Sequence, residues 1–302
     1  MSPRVSGATR AVGVIAWPAA HSLSPVIHNA AFAALGLDWV YLPLPVPPGS
    51  LPAALEGLVA LGFAGANVTM PHKTEAAERI GTLSEDARRL RAVNTIVVGP
   101  GGLEGHNTDA PGFARFLDRD AGFDPAGRTA LVYGAGGAAR ACALALARGG
   151  LAELVVAVRD PARGAALEAA LEAEACRIRV VPVGGAPGVG ADLLINATPA
   201  GAEGDPLPLP PLGPGTLVVD LRYRPAVTPL LQTAKAAGAP AFGGLGLLLH
   251  QAALSFQLWT GTEPSMAVMS AAAMAELAEE PAPTEAADPA PIAEGRSAPP
   301  AG

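Results

Sequence analysis

Cysteine, aromatic side chains and charge are all scarce in this chain of 302 residues, and each shortage closes off a class of protein. The two cysteines, Cys142 and Cys176, form no CxxC pair and have no histidine at ligand spacing, which excludes a disulfide framework and a zinc site; both are expected as buried apolar fillers. His28, His72, His106 and His250 are scattered among different segments, so no metal is expected. Aromatics make up 4% and charged residues 16% of the chain, so a core has to be built largely from Ala, Leu and Val. The formal net charge of −7 argues against nucleic acid or an anionic membrane as a bulk partner, because neither is attracted without a local basic patch. Long apolar runs are also lacking: nothing approaches the ~20 uninterrupted residues of a membrane span. Arg4 and Arg10 before the apolar residues 11–20 imitate a secretory signal, yet Pro18 interrupts the run, and residues 12–16 read better as a buried first strand. A cytoplasmic location is expected.

What is present is a hydrophobic content of 50%, enough in a chain of this length for two domains with separate cores. Short runs of Val, Ile and Leu alternate with Ala-rich helical segments, the order that gives parallel sheets with helices on their faces, so the fold class is α/β. Strands are predicted at 12–16, 39–44, 65–69 and 94–98, the last turning through Gly-Pro-Gly-Gly into a hairpin partner. Residues 25–35 read as a helix with Ser24 as N-cap, Pro25 in the first position and Gly36 as the stop. A second unit begins near residue 128, with strand 129–133, a glycine turn, a helix to 148, strand 154–158, helix 162–173 and strand 179–183. Strands 192–198 and 216–221 and a helix at 228–237 extend it. Helices at 247–260 and 265–278 need an apolar partner and are expected to return to the first domain, leaving the middle unit as an insertion. The resulting division is 1–110, 111–243 and 244–278, followed by a tail at 279–302 whose Pro, Ala and acidic residues bury too little surface to order themselves.

Several strings carry chemistry. Lys73, in Asn67-Val68-Thr69-Met70-Pro71-His72-Lys73, falls at the start of a predicted helix directly after an apolar strand. A lysine there opposes the positive end of the backbone dipole, a field that favours the amine form used in proton transfer. The plainer alternative is a solvated surface lysine. Gly134-Ala135-Gly136-Gly137-Ala138-Ala139 lies between a strand and a helix, where a GxGxxG/A loop offers backbone N–H groups to a pyrophosphate; a tight turn in an ordinary α/β unit is the alternative. At the end of the next strand Arg159 and Arg163 suit the 2′-phosphate of NADP rather than NAD, while Asp160 either contacts the ribose or caps the following helix. Ser22 and Ser24, in His21-Ser22-Leu23-Ser24-Pro25, put two hydroxyls at a helix start that favours a carboxylate or phosphate, unless Ser24 simply caps. Asp109 also reads as a cap, and becomes chemically interesting if the fold brings it to Lys73.

Together these strings, with Ile27-His28-Asn29, Ala92-Val93-Asn94-Thr95, Asn107-Thr108-Asp109, Gly112-Phe113, Asn196-Ala197-Thr198-Pro199, Gln251-Ala252 and Trp259-Thr260-Gly261, resemble the shikimate dehydrogenase family from about residue 12 to 261. The resemblance implies an N-terminal α/β substrate domain completed by the C-terminal helices and an inserted Rossmann-like NADP-binding domain. It implies reversible NADPH-dependent reduction of 3-dehydroshikimate to shikimate, with Lys73 and Asp109 as catalytic pair. Ser22 and Ser24 would take the substrate carboxylate with Tyr223 nearby, and Asn67, Thr69, Asn94 and Gln251 the ring hydroxyls. Gly134, Ala135, Gly136, Gly137, Ala138, Arg159 and Arg163 would hold NADP, whose nicotinamide would lie by Thr198 and Gly244. Three positions depart from or discriminate within the pattern. Val158 stands where NADP-dependent members commonly have Asn, Leu247 where many have Met, and Ser24 where quinate-preferring relatives often have Thr. The alternatives are a quinate/shikimate dehydrogenase using NAD, a family relative acting on a different small hydroxy acid, and a regulator that binds the dinucleotide without turnover. A non-catalytic interaction module has only the tail in its favour. The expected partner is a small-molecule substrate, and the chain is expected to be a monomer or a homodimer.

Overall fold

Both faces of the first strand, β1 (Arg10–Ala16), are covered: Val12, Val14, Ile15 and Ala16 are all buried, as in a strand with helices on either side. The computed structural model describes residues 5–172, 174–201 and 206–279. After β1 come α1 (Ser24–Ala34), β2 (Trp39–Pro45), α2 (Leu51–Ala60), β3 (Gly65–Val68), α3 (Lys73–Arg79), β4 (Thr82–Leu83), α4 (Glu85–Leu90), β5 (Thr95–Gly99), β6 (Gly102–His106) and α5 (Asp109–Phe116). Their strands make one mixed sheet in the order β2-β1-β3-β5-β6-β4. β1 runs parallel to β2 and β3, whereas β5 is antiparallel to both β3 and β6. The predicted hairpin joins β5 to β6: Gly99 pairs with Gly102, whose φ of +103° suits only glycine. Parallel pairing, the expectation from alternating strands and helices, is found in β2-β1-β3 and again where β4 pairs with β6, with the expected hairpin strand β5 running the other way between them.

The second sheet is wholly parallel. It contains β7 (Thr129–Tyr133), α6 (Gly137–Arg148), β8 (Glu153–Val158), α7 (Pro161–Leu171), β9 (Arg177–Pro182), β10 (Leu193–Asn196), β11 (Leu217–Asp220), α8 (Pro229–Ala236) and β12 (Ala241–Gly243). The order β12-β11-β10-β7-β8-β9 is that of a doubly wound dinucleotide fold, with the crevice where β7 and β10 lie side by side and their connections leave in opposite directions. The chain then returns. Leu249, Phe256 and Trp259 of α9 (Leu245–Thr260) and Met269 of α10 (Met266–Glu279) share one core with Ile27 and Phe32 of α1 and Val12 of β1. Where α9 crosses α5, a Cβ on Gly112 would stand 2.8 Å from the Gln251 nitrogen, so glycine is what lets the two backbones meet.

Some expectations need correction. Ser24 does not cap α1: Leu23 is the N-cap with helical φ and ψ and no side-chain bond, Ser24 is the first helical residue, and Ser22 Oγ accepts the Ser24 N–H at 3.3 Å. The helix start has slipped one residue because Leu23 already turns. α9 begins at Leu245 rather than 247, since Phe116 packs where a Cβ on Gly246 would be and the helix needs that glycine inside its first turn. Cys142 is buried as expected, but Cys176, in the short approach to the edge strand β9, is only partly so. α2 and α4 were not anticipated. α10 extends to Glu279, and the remainder of the expected tail lies outside the described residues, as does position 173. Among the described residues no helix is long and apolar enough to cross a membrane.

Candidate active site

Lys73 owes its position to the turn that ends β3. His72, the N-cap of α3, is 1% exposed and donates from Nε2 to the Val46 carbonyl at 2.7 Å, while the Lys73 carbonyl accepts the Val93 N–H at 2.9 Å. The helix start is thus pinned on two sides, and Lys73 Nζ donates to Asp109 Oδ2 at 2.6 Å. Asp109 is the first residue of α5 and caps nothing. The side chains are 21% and 11% exposed, so water still reaches the pair. Burial pushes the thiol of Cys142, in the middle of α6, well above its usual range; the Asp109 carboxylate adds to this and Lys73 opposes it. Both charges therefore lie within electrostatic reach of the helix that carries the glycine loop.

Asn94 organises the carboxylate. Its Nδ2 donates to Asp109 Oδ1 at 2.8 Å and to Thr108 Oγ1 at 2.9 Å, and its Oδ1 accepts the Thr108 N–H at 2.7 Å. Gln251 Oε1 lies 3.4 Å from the same amide nitrogen. Asn107 supports the turn from below, accepting the Asp109 N–H at 3.1 Å and donating to the Ala92 carbonyl at 2.9 Å. A carboxylate held this way keeps its orientation without help from a ligand.

Behind it lies a cluster of hydroxyls that the sequence did not single out. Ser255, fully buried on α9, bonds to Thr95 at 2.7 Å, to Thr108 at 3.2 Å and to the Asn67 amide at 3.0 Å. Ser255 stands one helical turn beyond Gln251, and that i, i+4 spacing was the available signal. Asn67 is more occupied than expected. Its Nδ2 also donates to the Asn94 carbonyl at 3.0 Å and to Thr95 at 3.1 Å, and its Oδ1 accepts Tyr41 Oη at 2.7 Å. Burial drives the Tyr41 hydroxyl far above its ordinary range, and a hydrogen bond with Ser24 partly opposes this, which ties Ser24 into the same cluster. Tyr41 stacks on His28 with centroids 4.5 Å apart and planes 2° from parallel. His28 is fully buried, neither ring nitrogen has a hydrogen-bond partner among the described residues, and burial lowers its pKa to about 3. Ser22 and Thr69, both partly buried, border this region from the α1 loop and the end of β3.

On the other sheet, Gly134 has φ +101°, and a Cβ there would fall 2.8 Å from the Thr198 methyl. Glycine alone permits the loops after β7 and β10 to touch. Among the described residues, nothing lies within 4 Å of where a Cβ on Gly136 or Gly137 would be, leaving the start of α6 open in the manner a pyrophosphate requires, with Ala135 and Ala138 beside it. Thr198 is held by Asn196 Oδ1, which accepts both its N–H at 3.1 Å and its hydroxyl at 2.7 Å. Arg159 and Arg163 are exposed at the end of β8 and in the first turn of α7, while Asp160 caps α7 by accepting the Ala162 N–H at 3.0 Å. Val158 is buried. Gly244 is the N-cap of α9, and a Cβ on it would stand 1.9 Å from the Leu221 carbonyl oxygen. Because that clash is backbone against backbone, Gly244→Ala is expected to cost about 3 kcal/mol in urea unfolding, and an unchanged midpoint would show that the two segments separate freely.

Residues 14–96 match a model of the shikimate dehydrogenase substrate binding domain, and residues 244–274 a model of the shikimate 5'-dehydrogenase C-terminal domain. A shikimate dehydrogenase (NADP(+)) of Rubrobacter xylanophilus is 48% identical over 282 residues, which cover 91% of this chain and 99% of that protein. The chain belongs to the shikimate dehydrogenase family. Within the family, the shikimate dehydrogenase (NADP(+)) of Citrifermentans bemidjiense is 43% identical, with 90% of this chain and 97% of that protein aligned. The solved structure of a shikimate dehydrogenase in complex with NADP+ superposes with a TM-score of 0.82 at 34% identity, over 92% of this chain and 99% of that one. The shikimate 5-dehydrogenase of Thermus thermophilus, in complex with NADP(H) and shikimate, gives 0.79 at 40% identity over 88% and 99%. A quinate dehydrogenase from Corynebacterium glutamicum, in complex with NAD, is also similar in structure, at 0.81 and 31% identity over 88% and 99%.

Proposed function

We propose that this chain is an NADP-dependent oxidoreductase that reversibly reduces 3-dehydroshikimate to shikimate in the cytoplasm, with Lys73 and Asp109 as its catalytic pair. One observation carries the assignment of the pair: an amine and a carboxylate from segments 36 residues apart meet at 2.6 Å, the carboxylate on α5, which packs against the helix of the glycine loop. The first 110 residues and 244–278 form the substrate-binding body, and 111–243 the dinucleotide-binding insertion.

NADPH supplies the hydride. Adding it to the substrate ketone builds negative charge on the oxygen, and a cation or proton donor held at that point lowers the barrier. Lys73 is that cation, and Asp109, fixed by Asn94, keeps its ammonium group aimed. Ser22 and Ser24, with Tyr223 nearby, receive the substrate carboxylate, while Thr69, Asn94 and Gln251 take ring hydroxyls. Asn67, whose nitrogen is committed within the protein and whose oxygen already accepts the Tyr41 hydroxyl, joins them through the remaining lone pair of that oxygen. Such a set discriminates by leaving buried polar groups unpaired when the wrong acid enters. Gly134, Gly136 and Gly137 with Ala135 and Ala138 accommodate the pyrophosphate, Thr198 and Gly244 flank the nicotinamide, and Arg159 and Arg163 meet the 2′-phosphate.

The test is a four-way assay of shikimate and quinate, each with NADP+ and NAD+. The highest kcat/KM is expected for shikimate with NADP+; activity confined to quinate with NAD+ would overturn the assignment. In the same assay Arg159→Ala should raise the KM for NADP+ about tenfold or more, the loss of a charge-assisted hydrogen bond, and hardly alter that for NAD+. Equal rises for both cofactors would mean that Arg159 only packs.

A further inference from the structure

Asp220, at the end of β11, is completely buried and accepts five hydrogen bonds: from Asn196 Nδ2 at 3.2 Å, Thr228 Oγ1 at 2.7 Å, and Arg222 N, Nε and Nη2 at 3.2, 3.1 and 2.7 Å. Arg222, so anchored, donates from Nη2 to the Gly201 carbonyl at 3.1 Å and reaches the Pro199 carbonyl from Nη1 at 3.5 Å. The loop that follows β10 and bears Thr198 is therefore clamped to the chain at residues 220–222. Two residues further on, the same segment turns to the other half of the molecule. Tyr223 packs against the core shared by α1, α9 and β1. Arg224 Nη1 donates to the carbonyl of His21 at 2.8 Å, across 203 positions of sequence, in the loop that presents Ser22 and Ser24.

We propose that Arg224 is a positioning residue that couples the cofactor side of the cleft to the serine loop; this rests on the function proposed above. The acceptor is a main-chain oxygen, so the bond fixes the loop's backbone rather than one side chain, and a guanidinium donor makes it stronger than a neutral bond of the same length. With residues 196–201 held by Arg222 at one end and His21 held by Arg224 at the other, segment 220–224 is a short strut between the two ligand-binding regions. A dinucleotide seated against the loop after β10 is felt through this strut at the two serine hydroxyls where a carboxylate must dock, so each ligand binds better in the presence of the other. Such coupling is reciprocal by thermodynamic necessity.

Calorimetric titration of the full chain tests this directly. In the unsubstituted protein NADP+ should tighten shikimate binding about fivefold or more, and shikimate should tighten NADP+ by the same factor. In Arg224→Ala the factor should fall to about one while the affinity for NADP+ alone is retained; Arg224→Lys, which keeps a charged donor, should recover part of it. A merely structural role would lower the melting temperature and leave the factor as it was. Independent binding in the unsubstituted protein, or an undiminished factor in Arg224→Ala, overturns the proposal and leaves the catalytic assignment standing. Failure of the unsubstituted protein to bind or oxidise shikimate refutes that assignment and takes this inference with it.

Discussion

Lys73→Ala should lower kcat for shikimate oxidation by about a thousandfold while the dissociation constant for shikimate changes by less than about threefold. The split follows from where the charge is needed. In the ground state the reacting oxygen is neutral and is held by several other donors and acceptors, so the amine adds little to binding. As the carbonyl and alkoxide interconvert, charge accumulates on that oxygen, and the loss is felt only there. A thousandfold corresponds to about 4 kcal/mol of transition-state stabilisation. Asp109 keeps its bond from Asn94 at 2.8 Å and remains in contact with water, so the alanine variant need not misfold around an abandoned carboxylate. Steady-state rates at saturating NADP+, paired with direct titration of shikimate, give both numbers. A variant that turns over at close to the normal rate would remove Lys73 from the mechanism.

The second large effect is on stability. His28 is buried among Phe32, Tyr41, Phe256 and Trp259, without a partner for either ring nitrogen among the described residues, and its pKa of about 3 lies far below the ordinary 6.5. Because the folded value is the lower one, the unfolded chain takes up the proton first as pH falls. The stability associated with a neutral His28 is therefore complete above about 6.5 and drains away between 6.5 and about 3. At 1.36 kcal/mol per pKa unit, acidification from pH 7 to pH 4 should remove about 3 kcal/mol through this residue alone. Urea unfolding of the natural protein and of His28→Phe at both pH values isolates the contribution, since the phenyl ring can stack but cannot titrate. The natural protein should lose about 3 kcal/mol more than the variant; parallel losses would place the acid sensitivity elsewhere.

Which features could be read in the sequence depended on how local their cause is. The stretch from β7 through the glycine loop to α6 was legible because a largely apolar strand, a run of small residues and an Ala-rich helix follow one another without interruption. The hairpin at Gly99 and Gly102 was legible for the same reason. By contrast α4 is only six residues long, and its Ser84 cap, accepting the Ala87 N–H at 3.2 Å, is a signal that many loops imitate. The start of α1 was misplaced because Ser24 followed by Pro25 looks like a cap and first turn, whereas Leu23 is already helical. In the site itself, nothing in the local pattern joins Lys73 to Asp109. Their association was expected from the family's strings, and the distance between them comes from the way β3, α3 and α5 are stacked. Ser255 shows the opposite case. A serine in an apolar helix, marked only by its place one turn beyond Gln251, takes its meaning from Asn67, Thr95 and Thr108 around it.

The core that supports α1 and β1 includes Leu249, Phe256 and Trp259, near the far end of the chain, whereas the second sheet is built from one uninterrupted stretch. During synthesis, at about 5–20 residues per second, the insertion can complete its own packing while the body on either side of it is still missing its last wall. The first sheet must wait with apolar surface uncovered until α10, which brings Met269 into the same core, has left the ribosome, so the half that emerges earliest is the half that matures last.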